Sequence, residues 1–505
     1  MWIFLLLALL LSPFSAIGAD SKSIPMGYEE ARHLLNRTSF AADEGQVQEF
    51  ARLTREQAVD RLLSSVRTRA QTAPPEWVDE VISLRKIRSL NEEERENLRK
   101  RYREYGIELR AWWYQEMLST PSPFTEKMTL FWHNHFTSSL QKVKVPQFMY
   151  YQNVLLRQHA LGNFGEMLHA VSKDPAMIVY LDNVSNRKGQ PNENFAREVM
   201  ELFTLGEGHY TEQDVKEAAR AFSGWSLDRE TGQFRFYPHR HDEGIKTILG
   251  QTGNFDGDAV LDILLSKPQT AEFITTKLWR EFVSPTPNPT EVKRLAALFR
   301  DSHYDIKTLM RALLTSEDFY AKENRGVLIK SPVEFIVGTL RQFNIQPPDM
   351  RPLAFAARQL GQDIFMPPTV KGWPGGESWI NSNTLLIRKQ LLEHLFRARE
   401  MPDGSGPILE RSAMESSQAL QSDPDSKPNS PSDREQRRMI RLQRALNFQF
   451  DSDTWCAQFK GDLTEKQNQM TRLLLAIEPL QKPQPTTECI EFIRQLVLDP
   501  VYQLK

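Results

Sequence analysis

The chain has 505 residues, 40% of them hydrophobic and 25% charged, with a formal net charge of −2. That is globular composition, with material for a large core and length for two or three domains. The near-neutral balance argues against a nucleic-acid or anionic-membrane partner, since either needs an extended basic face, while local basic patches stay open.

The amino terminus, MWIFLLLALLLSPFSAIGAD, carries an apolar run from Trp2 to Leu11 that Pro13 breaks before the small residues of SAIGA. The run is too short for a comfortable membrane span. It reads as a signal peptide over residues 1–19, cleaved to leave an exported chain, periplasmic or extracellular, without a transmembrane span. No Lys or Arg precedes the run, and no Cys follows it to carry a lipid. Only Cys456 and Cys489 occur, outside any CxxC pattern that would mark a zinc ribbon or a thioredoxin-type site. In an oxidising compartment they either pair or remain two separate buried thiols.

Downstream, apolar residues recur at three- and four-residue spacing, beginning with EEARHLLNRTSF and REQAVDRLLSSV. NEEERENLRKRYREYGIELRAWWYQEMLS opens on Asn91 as a cap and turns from acidic to basic, as a helix dipole favours. Its first half is a solvated face, and Leu109, Trp112, Trp113 and Met117 pack. Further helices follow at PFTEKMTLFWHNHF, PQFMYYQNVLLRQHAL, FGEMLHAVS, AEFITTKLWREFV, PVEFIVGTLRQF and NTLLIRKQLLEHLFRARE. GQFRFYPHRHDEGIKTILG alternates Phe234 and Phe236 with polar residues and predicts a small β-hairpin excursion. Residues 402–435 are rich in Ser, Pro and Asp and read as a disordered linker. The fold class is therefore mainly α: a multi-helical core over 20–401, the linker, and a short helical carboxyl-terminal segment over 436–505 that moves semi-independently.

Four groups carry candidate chemistry. In FWHNHF, His133 and His135 form half of a metal site only if the chain turns extended between them, because helical residues two apart point about 200° from each other. Aromatic packing with hydrogen-bonded histidines is the plainer reading. His239 and His241, with Asp242 and Lys246 nearby, lie in the extended stretch, where residues two apart share a face. On NENFAREVMELFTLGEGHYTE, a 100° step places Asn194, Glu198 and Glu201 on one face with Arg197 beside them, and Gly206 and Gly208 end the helix before His209. This is either a solvated polar face or a pair of carboxylates for acid–base work or metal ligation, one of them held by Arg197. Thr211 and Asp214 form a capping-box-like start to the next helix. Trp373 and Trp379 flank a Pro-Gly-Gly turn; they either stack on sugars or a partner, or bury themselves.

Two patterns fail. Asn254, Asp256 and Asp258 lack the Gly and Glu of an EF-hand loop, and Glu166 with His169 has no second Glu-x-x-His.

ARHLLNRTSF, EKMTLFWHNHF, NENFAREVMELFTLGEGHYTEQDVKEAARAFSGW, HDEGIKTILG and PPTVKGWPGGESWINSNTLLIR together resemble, in order, the signature blocks of the bacterial domain-of-unknown-function 1800 family. The resemblance covers residues 27 to about 400. It implies an exported, largely helical protein, with a partner among exported proteins of the domain-of-unknown-function 1501 family, and no established reaction. The family pattern includes His133, Asn134, His135, Asn192, Asn194, Arg197, Glu198, Glu201, Gly206, His209, His241, Asp242 and Lys246, and leaves out His239.

Two functions are open. One is a metal-assisted hydrolase, with His133, His135, His241 and Asp242 around a divalent metal ion, a Glu198 or Glu201 base, and Arg197 or Lys246 steadying negative charge. The other is a non-catalytic envelope scaffold or binding module for a partner exported protein or a polysaccharide, in which the same groups form structural networks.

Overall fold

In the computed structural model, residues 24–396 and 450–505 are described, and helices dominate them. The leader over 1–19 and the linker over 402–435 lie outside the described residues, as do residues 436–449 of the tail.

The organising element is the Pro123–His135 helix. Proline at its start is preset for the first turn, and ten of its thirteen residues are buried. A helix covered all round must satisfy its polar groups inside the protein. Glu126 accepts from Arg157 Nε at 2.6 Å and Nη2 at 2.9 Å, and from the Trp113 indole at 2.8 Å. One turn of the helix thereby ties together two neighbours, Glu92–Ser119 and Pro146–His159. The former starts at Asn91, whose side chain caps the Glu94 amide, and buries Leu109, Trp112, Trp113 and Met117 as its spacing predicts. Trp113, Trp132, Phe124, Phe136 and Phe164 fill the centre of the core.

The β-structure differs from the expected hairpin. β1 (Trp225–Leu227) pairs antiparallel with β2 (Phe234–Phe236), and β3 (Lys246–Ile248) pairs with β4 (Gln251–Gly253). Each strand finds a partner beyond the stretch, and between the two ribbons Pro238–Arg240 closes a 3₁₀ turn. His239 sits in that turn and His241 beyond it, so the two do not share a strand face.

The described tail, 450–505, packs into the same core. Trp455 stacks near Phe343, with ring centroids 4.8 Å apart, and donates to the Gln342 carbonyl at 2.9 Å. Leu504 bridges to Ile329, and Arg388 donates to Gln503 at 2.9 Å. Cys456 and Cys489 form a disulfide that joins the Ser452–Cys456 and Cys489–Leu498 helices. These contacts hold the described part of the tail to the core, against the expectation that it moves semi-independently. No helix among the described residues is long and apolar enough to cross a membrane.

Arg157→Leu leaves the Glu126 carboxylate buried without its cation, so urea denaturation should show a loss of about 3–5 kcal/mol. Replacing Glu126 as well, in Glu126→Leu/Arg157→Leu, should recover most of that loss, because two buried charges then give way to apolar groups.

Candidate functional site

The Pro123–His135 helix runs through both histidines, so His133 and His135 leave it on different sides. The turn at Asn134 that a shared metal would require is absent. Each of the three polar residues ties down a different segment. His133 Nε2 accepts the Phe365 amide at 3.1 Å, and its ring packs on Trp113, Phe365 and Trp373. Burial pushes its pKa down to about 3, so it is neutral at any ordinary pH. Asn134 pairs with the backbone of Trp373, accepting its amide at 2.7 Å and donating to its carbonyl at 3.3 Å. Gly372 has φ +80°, and a Cβ there would run into Oδ1 and the carbonyl oxygen of Asn134. His135 Nε2 lies 3.2 Å from the Phe203 carbonyl, while its Nδ1 lies 3.0 Å from Lys277 Nζ. The ammonium has only protons to offer, so Nδ1 is the acceptor and Nε2–H donates. Burial, then the charge of Lys277, hold this imidazole well below its ordinary value.

These ties shape a cavity of about 430 Å³. Phe131, Asn134 and His135 line it from the central helix, Lys277 and Arg280 from the Pro268–Phe282 helix, and Trp373 and Trp379 from the loop that Asn134 holds. Both tryptophans are buried. The cavity carries Lys127, Lys277, Arg280, Lys371 and Lys505 against only two carboxylates, Glu281 and Glu334. Lys127 and Lys505 are engaged with Glu334, and both also lie within ion-pair reach of Glu281. Burial lowers the pKa of both lysines. Lys371 is exposed and pairs with Glu207 at 3.0 Å and Glu201 at 3.6 Å. Among the described residues, Lys277 and Arg280 form no ion pair. They are the cations left for something else.

The Glu198 and Glu201 face lies beside this cavity, joined to it through Lys371. Asn194–Glu198 is α-helical, but Val199–Thr204 widens into a π-helix, and Thr204 Oγ1 donates five residues back to the Val199 carbonyl at 2.6 Å. A π segment inside a helix resets the face that each residue presents. Glu201 accepts from the Tyr210 hydroxyl at 2.6 Å. Burial, then the neighbouring Glu201 charge, raise the Glu198 pKa. Arg197 holds neither carboxylate: it pairs with Glu212 at 2.7 Å and Glu193 at 3.2 Å. Asn194 donates its amide to Asn192, and His209 is exposed.

The third group belongs to turn architecture. His241 Nδ1 lies 2.9 Å from the Ser223 carbonyl, and Arg220 grips Asp242 with Nε at 2.8 Å, which holds that carboxyl down at about 2. Lys246 donates to the carbonyls of Asp242 at 2.6 Å and Gly244 at 3.0 Å. Asp256 caps a helix at Ala259, and Asp258 binds Lys173 and His169, so the two aspartates of the rejected loop serve local structure. Among the described residues, no group of three or more His, Cys, Asp or Glu is placed to hold a metal ion. The residues named for one from sequence are dispersed over three places.

A family model described as "Protein of unknown function (DUF1800)" matches residues 33–504. The chain belongs to this family. The DUF1800 match includes the described tail as well as the blocks that end near residue 400. No curated protein and no solved structure matches the chain.

The cavity's cations were missed in the sequence. Lys277 lies in an amphipathic helix like many others, and Lys127 reads as a surface lysine. Their partners are 142 and 207 residues away, at His135 and Glu334. AEFITTKLWREF carries Lys277 and Arg280 against Glu272 and Glu281, so its charge balance gave no signal.

His133 sets a pH dependence. Its folded pKa lies below the ordinary 6.5, so between 6.5 and about 3 the unfolded chain binds the extra proton. Stability should fall as pH drops through that window. In His133→Gln this part of the slope should vanish, as denaturation midpoints at stepped pH will show.

Proposed function

We propose that the protein is an exported binding protein for an acidic saccharide, with the cavity behind Asn134 as its site. One observation carries the reading: Lys277 and Arg280, cations without carboxylate partners among the described residues, share a 430 Å³ cavity with Trp373 and Trp379. The volume falls among pockets that enclose small molecules, about 300–1,000 Å³. Cations take the carboxylate, and the aromatic wall takes the apolar face of the sugar ring. The leader-like sequence over 1–19 and the Cys456–Cys489 disulfide support export, because such bonds persist in oxidising compartments.

The metal-assisted hydrolase has less support. It needs several donors around one ion, and His133, His135, His241 and Asp242 are each held by separate partners. Glu198 lies beside Glu201, which the Tyr210 hydroxyl and Lys371 already engage, so catalysis without metal would fall to Glu198.

Calorimetric titration of the mature protein with galacturonate and with galactose tests the binding reading. Galacturonate should bind at least about tenfold more tightly, and its affinity should weaken as salt rises. Arg280 is exposed, so Arg280→Ala should cost about tenfold in affinity and leave the melting temperature unchanged. Equal binding of the two sugars, or indifference to Arg280→Ala, would contradict the assignment.

A further inference from the structure

We propose that a basic platform built from Arg187, Lys188 and Arg240 docks an acidic polysaccharide as an extended chain. None of the three lines the cavity, so the platform is a second surface. Gly224 assembles it. The Gly224 amide donates to the Asn186 carbonyl at 3.2 Å, and its carbonyl accepts the Tyr237 amide at 2.8 Å, so one residue pins both segments. Gly224 has φ +85°, and a Cβ there would run into the Tyr237 carbonyl oxygen and the Phe236 ring. Beyond this junction the Lys188 amide donates to the Arg240 carbonyl at 2.7 Å and closes the pair.

The guanidinium groups are steadied by neutral partners. Arg187 gives Nε and Nη2 to Gln190, and Arg240 lies over the Tyr237 ring, 4.8 Å from its centroid. Among the described residues, Arg187, Lys188 and Arg240 form no ion pair. The carboxylates of the same two stretches are engaged elsewhere. Asp182 pairs with Lys142 and Glu193 with Arg197; Asp228 pairs with Arg235, Glu230 with Arg85 and Asp242 with Arg220. Glu243 is the one carboxylate over 182–193 and 228–243 without a cation among the described residues, so the platform keeps a net positive charge. A loop that served solubility alone would need the charges but not the glycine junction that fixes them.

The chemistry of the surface selects the partner. A planar guanidinium fork matches a carboxylate with two donors. Phe236 is 40% exposed beside the Gly224 junction and offers a ring to the apolar face of a sugar. Arg187, Lys188, Gly189, Gln190, Pro238 and His239 are all exposed, so the surface is open and suits a chain lying across it. Cations on two segments meet successive acid groups of one polymer, which strengthens binding through linkage. Nucleic acid fits less well, because the chain as a whole has a net charge of −2. The platform does not rest on the cavity reading: the cavity encloses one acidic unit, and the platform takes a polymer.

Biolayer interferometry with immobilised polygalacturonate tests the proposal, with neutral galactan, single-stranded DNA and phosphatidylglycerol vesicles run in parallel. Polygalacturonate should bind at least about tenfold more tightly than galactan, and its affinity should fall as salt rises. Both are readouts on the wild-type protein and depend on no variant folding. Arg187→Gln/Lys188→Gln/Arg240→Gln should lower polymer affinity at least about tenfold, with the melting temperature and the affinity for monomeric galacturonate unchanged. Equal binding of galactan, or polymer binding unchanged in the triple variant, would overturn the proposal. DNA or vesicles held more tightly than polygalacturonate through the same three residues would overturn the saccharide assignment. Monomeric galacturonate that fails to bind, while the triple variant still loses the polymer, would overturn the cavity reading and leave the platform standing.

Discussion

Burial of the Pro123–His135 helix imposes the constraint on which the site depends. A helix surrounded by core has nowhere to send its polar groups except into its neighbours. Glu126, Lys127, His133, Asn134 and His135 each reach a different element, from the Pro146–His159 helix to the Trp373 loop and the π segment. Leaving any such group unpaired inside the protein costs about 1–3 kcal/mol, so position and partner are tightly coupled. The cavity is a by-product of that coupling. Its aromatic wall stands where Asn134 holds the loop, and Lys277 stands where His135 accepts a hydrogen bond.

This explains why residues that look like ligands behave as ties. An imidazole in a dry aromatic setting loses its affinity for protons, and at His133 the fall to about 3 removes any role as a physiological base. The same setting lowers a lysine as well. An ammonium that is poorly solvated and lacks a carboxylate becomes an amine more readily. Lys277 shows this, lowered to about 8 by burial and then by Arg280.

Local features were legible in the sequence. Asn91 and Thr211 cap their helices as their spacing indicates, and the apolar faces bury where three- and four-residue periodicity places them. Helical geometry also showed that His133 and His135 cannot converge unless the helix ends between them. What escaped was non-local or irregular. A 100° step does not survive the π-helix at Val199–Thr204, yet Glu201 still lies near enough to Glu198 to raise its pKa, while Arg197 turns away to Glu212 and Glu193. The two ribbons choose partners outside the alternating stretch, which moved His239 into a turn. The cavity depends on contacts such as Asn134 with Trp373, 239 residues apart, which no local pattern encodes.

The central claim is that the cavity shaped by the ties of Asn134 and His135 takes an acidic saccharide. A crystal structure of the protein soaked in galacturonate tests it most directly. The account predicts density for the sugar between Trp373 and the Lys277–Arg280 side chains, with its carboxylate toward the two cations. A cavity that stays empty while the sugar lies along the Glu198–Glu201 face or on an unrelated surface would contradict it.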